Sequence, residues 1–256
     1  MPDFQYGDDA KGHINSDTAL VGNADKMVKL AKTKLCGGRS ACQDRSEKTR
    51  QRLIEVAVEV FADLGFEAAS TRTIVERAQA NLVSIPYYFG SKLGLYHAVA
   101  EYIGSHIAER FSPACDLARQ QLLHLGLTHD ETLKNFTEFV VRFSQIMLGT
   151  ETPQSWGQFI YREQFAPTGA FEILHASFAP LMELGFQYVS RLTGLPEDAP
   201  ETRIQFLAVL SMVKFTRIDR ASVLRTMGWQ GFGEEETRIV SDMLRYNIHA
   251  MFGRSA

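Results

Sequence analysis

The sequence offers few of the residue sets that make or break bonds. HExxH, GxSxG and GxxxxGK[ST] strings are all absent, so metal-assisted hydrolysis, acyl transfer and phosphoryl transfer lack their usual parts. Cys36 and Cys42 are separated by five residues, which is not a zinc spacing, and His124 and His129 fall in a linker-like stretch. No catalytic residue, metal or cofactor is expected. Hydrogen-bond donors are instead concentrated in the stretch 70–92. Ser70, Thr71 and Arg72 come first, then Asn81 and Ser84, then Tyr87, Tyr88 and Lys92. Hydroxyls, a guanidinium and an ammonium at this density suit phosphate oxygens and the edges of bases. Leu82 and Val83 stand among them with the size and apolarity to meet a thymine methyl.

These residues need elements to hold them. Leu53, Val56, Ala57, Val60, Phe61 and Leu64 recur at helical spacing, and Gly65 follows as a stop. Ser70 is a good N-cap for a short helix carrying Ile74, Val75 and Ala78. Gln79, Ala80 and Asn81 form a three-residue turn, with Asn81 expected to cap the next short helix, 82–88. A fourth helix starts near Ser91. Two short helices joined by a tight turn and braced on both sides make a helix-turn-helix, whose second helix fits a major groove.

Each residue also has a plainer reading. Arg72 and Lys92 could be solvated charges, Thr71 a second capping hydroxyl, and Tyr88 half core. Leu82 serves equally well as buried packing. Phe89 should be core.

The string from Arg52 to Val99 resembles the amino-terminal domain of the TetR family of transcriptional regulators. The matching frame is Ala57, Phe61 and Gly65 in the first helix, then Thr71, Arg72 and Ile74. It closes with Tyr87, Tyr88, Phe89, Ser91, Lys92, Leu95 and Tyr96. Two positions depart from the pattern: Gln79 replaces the usual turn glycine, and Pro86 replaces a usual aromatic. The run N-L-x-x-I-P-Y-Y-F-G-x-K is similar to the CecR-type branch of the family. So is F-I-Y-R-E-Q-F-A-P-T-G-A-F-E, from Phe159 to Glu172. The resemblance implies contact with an operator through Ser70, Thr71, Arg72, Asn81, Leu82, Val83, Ser84, Tyr87, Tyr88 and Lys92.

Beyond the fourth helix the helical period continues. Thr128 and Glu131 form a possible capping box. Helices are expected at about 154–166, 168–193, 201–217 and 234–252, and no strand pattern is found. Eight of the 17 phenylalanines lie between positions 136 and 186. Most suit an aromatic core. A small-molecule pocket is the alternative, and Trp156, Phe159, Arg162, Phe171, His175 and Phe178 are its candidate residues. Glu163 reads as structural. Helices 201–217 and 234–252 are apolar on several faces, so they should be buried on several sides. Leu207, Leu210, Val240, Met243, Leu244 and Met251 are the candidate dimer contacts.

The expected fold is therefore all-α. Residues 1–45 form a disordered extension, with 36–44 a loop and 27–35 compatible with a short basic helix. Residues 46–106 form the helix-turn-helix domain, and 107–256 form a larger ligand-binding and dimerisation domain. Composition adds exclusions. Three cysteines in 256 residues cannot make a disulfide framework, which points to the cytoplasm, and no apolar run is long enough for a membrane. The net charge of −3, averaged over the whole chain, argues against a nucleic-acid partner. Yet 70–92 carries Arg72, Arg77 and Lys92 against Glu76 alone. The expected function is a dimeric, ligand-released repressor that binds a palindromic operator. An activator of the same family, or a helical interaction module without DNA binding, are the alternatives.

Overall fold

The apolar stripe that begins at Leu53 lies on a helix, α1 (Val21–Ala68), whose regular geometry breaks at Gly65. There φ is +77°, a left-handed value open to glycine at little cost. The computed structural model describes residues 21–149 and 152–253, with side chains from residue 43 onward. Residues 36–44, expected as loop, lie within α1. Adding a residue to a formed helix costs far less than starting one, so Gly37 and Gly38 need not end it. The disordered extension expected over 1–45 is corrected from Val21 onward, where the chain is helical, and its first part, 1–20, lies outside the described residues. By its packing the chain divides into 1–49 and 50–256, and the latter carries all the remaining elements.

Nine further helices follow among the described residues. They are α2 (Thr71–Arg77), α3 (Ser84–Phe89), α4 (Lys92–Leu123), α5 (His129–Leu148) and α6 (Gln154–Phe165). Then come α7 (Gly169–Thr193), α8 (Pro200–Ile218), α9 (Arg220–Met227) and α10 (Glu234–Phe252). Local signals set several ends. The capping box at Thr128 is formed, with Thr128 Oγ1 accepting from the Glu131 amide at 3.2 Å and Glu131 accepting from the Thr128 amide at 2.8 Å. The Thr128 amide, and then its hydroxyl at 2.8 Å, donate to the Glu131 carboxyl and hold it below its usual pKa. Ser91 caps α4 through the Gly94 amide. Gly194 ends α7 in the left-handed region.

Two apolar cores result. The first gathers Leu53, Phe61, Ile74, Ile85, Leu95, Val99 and Ile103 from α1 to α4, and it also takes in Trp156, Phe159, Ala170 and Leu174 from α6 and α7. The second joins α5, the far end of α4, α7, α8 and α10 around Phe136, Tyr188, Phe206 and Leu244. Helix α4 runs unbroken past position 106, so the expected boundary there lies inside one helix.

Leu210, Val240 and Leu244, expected at a dimer contact, are buried in this second core. Their apolar faces turn inward against their own chain. Leu207, Met243 and Met251 remain exposed on α8 and α10, beside Ile204, Ile239 and Tyr246.

The second core tolerates little added volume. A Cβ on Gly185 would stand 2.0 Å from the Phe206 ring. Gly185→Ala should therefore destabilise the protein by about 1–3 kcal/mol, read as a lower urea midpoint. An unchanged midpoint would show that Phe206 has room to move.

Candidate nucleic-acid interface and the cavity behind it

The donor-rich stretch is held from beneath. Ile74 and Ile85 are fully buried and pin α2 and α3 to α1 and α4. Ser70 spends its hydroxyl on the cap, accepting from the Thr73 amide at 3.0 Å. The turn closes through Ala78 N to Ile74 O at 2.9 Å and Ala80 N to Val75 O at 2.9 Å. Gln79 there has φ of +49°, the one left-handed non-glycine residue among those described. Its carbonyl accepts from Arg52 at 3.4 Å. Asn81 does not cap α3 directly. Its Oδ1 accepts from the Val83 amide at 3.2 Å, an Asx turn that delays α3 to Ser84.

On the outer side stand the exposed residues. Leu82 is 53%, Val83 66% and Tyr87 77% exposed, an apolar cluster that a folded chain gains nothing by displaying. Tyr87 packs edge-on against the partly buried Tyr88 at 4.8 Å. Pro86 sits within the first turn of α3, where its missing N–H costs least. Arg72 projects from the first turn of α2 and pairs with Glu76 at 2.8 Å. That surface pair is weak enough to open for a stronger partner. Lys92 donates to the Glu67 carbonyl at 3.2 Å and lies 4.5 Å above the Phe66 ring, so its ammonium is fixed at the end of α1. Thr71 and Ser84 are half-buried at their helix starts. Phe89 is only half-buried, beneath Arg50.

Behind this surface, α6 has two working faces. Ser155, Trp156, Phe159 and Glu163 are buried toward the first core. Ser155 donates to Glu59 at 2.7 Å. Arg162 donates to the carbonyls of Ala62 at 2.8 Å and Asp63 at 2.6 Å. Those carbonyls belong to the last turn before Gly65, where intrahelical partners run out and a cation meets the negative helix end. Glu163 is 1% exposed. It accepts from Tyr96 OH at 2.6 Å and from the Thr168 amide and hydroxyl at 2.9 and 3.0 Å. Burial, and then this bond, push the Tyr96 phenol pKa upward. Tyr96 also stacks with Phe61, Phe66 and Phe159.

The opposite face of α6, with Gly157, Ile160, Tyr161, Gln164 and Phe165, lines a cavity of about 480 Å³ shared with α5, α7 and α8. That volume suits a small molecule. Phe171, His175 and Phe178 line it, as expected of pocket residues. Trp156, Phe159 and Arg162 do not. Trp156 and Phe159 are turned the other way, into the first core, and Arg162 is held by α1. Lys214 and Arg217 were not singled out from the sequence, and Tyr96 was read only as part of the family frame. The two cations, three apart and following the largely apolar run 206–213, were the readable signal.

A braced α2–α3 pair with an exposed outer face, backed by a helical bundle with a cavity, defines the helix-turn-helix class of transcriptional regulators. Known proteins agree. Residues 53–99 match the bacterial regulatory proteins of the TetR family, and residues 133–253 match the C-terminal domain of the HTH-type transcriptional dual regulator CecR. That regulator in Shigella flexneri is 29% identical over 210 residues, covering 80% of this chain and 91% of its own. A TetR-like regulator from Rhodococcus sp. RHA1 superposes with a TM-score of 0.56 at 20% identity, covering 80% of this chain and 97% of its own. AibR, solved with isovaleryl coenzyme A and operator DNA, gives a TM-score of 0.57 at 13% identity, covering 81% and 100%. The chain belongs to the TetR family and carries a CecR-type carboxy-terminal domain. It is a DNA-binding transcriptional regulator, not an enzyme. Regulators of the TetR family bind DNA operators and small-molecule effectors. No described helix is long and apolar enough to cross a membrane.

The turn yields a test. A left-handed non-glycine residue costs about 1–2 kcal/mol, against about 0.5–1 kcal/mol of extra chain entropy for glycine. Gln79→Gly should thus raise stability by up to about 1 kcal/mol, seen as a higher urea midpoint. A lower midpoint would show that Gln79 makes a compensating contact.

Proposed function

We propose that the protein binds a palindromic operator as a two-fold homodimer, represses from it, and is released by a small molecule in the cavity. The observation that carries this reading is the double role of α6. One face ties to α1 and α4 through Ser155, Arg162 and Glu163, and the other lines the cavity. An occupant that moves α6 must also move the reading head, so two heads in a dimer would change their separation. AibR supports the reading, as a protein of this fold captured with both an acyl-coenzyme A and operator DNA.

Dimer contact falls to the exposed apolar residues of α8 and α10, among them Leu207, Met243 and Met251. Residues 46–106 serve as the reading domain and 107–256 as the effector and dimer domain, sharing α4. Leu82, Val83 and Ser84 face base edges with Tyr87, while Ser70, Thr71, Asn81, Tyr88 and Lys92 position the backbone. Arg72 leaves Glu76 for a base. The relative from Shigella flexneri is a dual regulator by name, which favours activation at some operators as a second reading. Such a protein acts in the cytoplasm, where the DNA is.

Selection from random-sequence duplexes tests this. The expected product is an inverted repeat with half-sites one helical turn, or a multiple, apart. An asymmetric single site, or no enrichment, would refute the dimeric reading. On the selected site, Lys92→Ala should weaken all sequences alike. Arg72→Ala should relax preference at one position by about 1–3 kcal/mol. A uniform loss from both would refute the assigned roles.

A further inference from the structure

The cavity has a charge character that a ligand-released regulator need not have. No Asp or Glu stands among its lining residues, whereas Lys214 and Arg217 do. They lie three apart on α8 and so share one face. Arg217 is fixed in place, its Nη2 donating to the carbonyls of Thr152 and Pro153 at 3.1 and 2.7 Å. Its Nε is buried with no hydrogen-bond partner. Lys214 has no ion pair among the described residues. Loss of water lowers the pKa of Lys214, and burial and then neighbouring Arg220 lower that of Arg217. Lys214 keeps an exposed side chain, whereas Arg217 is partly buried. A partly buried cation with no acidic side chain in the wall beside it carries a cost that an anion would offset and a neutral ligand would not. Apart from Tyr161, Gln164 and His175 the rest of the wall is apolar, with Phe171, Phe178 and Leu181 lining the space.

We infer that the cavity takes an anionic amphiphile, its carboxylate or similar anion held by Lys214 and Arg217 and its apolar body against Phe171, Phe178 and Leu181. The role of such a ligand as the releasing effector rests on the function proposed above, but its charge does not.

Calorimetric titration of the full chain with decanoate, decanol and decylamine, all below micelle-forming concentrations, tests the inference. Decanoate should bind about tenfold tighter than decanol, the worth of one charge-assisted hydrogen bond, and decylamine should bind least. In Lys214→Gln, decanoate should weaken by about tenfold while decanol holds its affinity. Equal affinities in the unaltered chain, or a preference for decylamine, would overturn the proposal. So would an unshifted decanoate affinity in Lys214→Gln when decanol still binds. Operator affinity is followed in parallel. Selectivity for decanoate with no weakening of operator binding supports the anion assignment and overturns only the release reading.

Discussion

The grip of Arg162 and Glu163 on the amino-terminal helices is the constraint on which the rest depends. Arg162 closes the end of the first reading-domain helix by taking the carbonyls of Ala62 and Asp63. Glu163, one residue on, anchors Tyr96 of α4 from within the protein. A buried carboxylate is tolerable only when its lone pairs are answered, and here Tyr96 and Thr168 supply three donors. Losing one of them would leave a desolvated charge, so the arrangement resists partial opening. On the proposed function, a shift of helix α6 at the cavity would carry α1 and α4 along.

Packing sharpens this coupling. Interiors are dense enough to move between discrete arrangements rather than deform by degrees. Phe159 lies against Tyr96 at 4.7 Å, and Tyr96 against Phe61 at 4.8 Å. A chain of rings thus runs from α6 to the helix that supports α2 and α3. Gly185 lets the Phe206 ring of α8 lie directly against the α7 backbone. The reading surface itself remains thin: few charges, exposed Leu82, Val83 and Tyr87, and a turn strained at Gln79. On the proposed function, such a surface would have little sequence-independent attraction for DNA and would rely on fit.

Much of this was legible in the chain because it is local. Ser70, Ser91 and the Thr128–Glu131 pair announce helix starts, and Gly65 a stop, through backbone chemistry within a few residues. The span 234–252 follows directly from its apolar period. What stayed hidden depends on which way an apolar face turns. Trp156 and Phe159 differ from Phe171 and Phe178 in nothing the sequence displays, yet the first pair faces the reading domain and the second the cavity. Leu210, Val240 and Leu244 likewise fill their own core while Leu207, Met243 and Met251 stay outside. The Glu163–Tyr96 bond joins residues 67 apart in the chain, a separation at which helical period carries no information. The overall charge of −3 misled for a similar reason, since the surface that matters is a small part of the whole.

If cavity and reading head are linked through α6, the linkage must be reciprocal: whatever factor an occupant takes from operator affinity, the operator takes from occupant affinity. The direct measurement is decanoate affinity with and without saturating operator. Operator-bound protein should bind decanoate more weakly, by the same factor that saturating decanoate weakens operator binding. The same decanoate affinity in both states would show that the cavity and the reading head are independent.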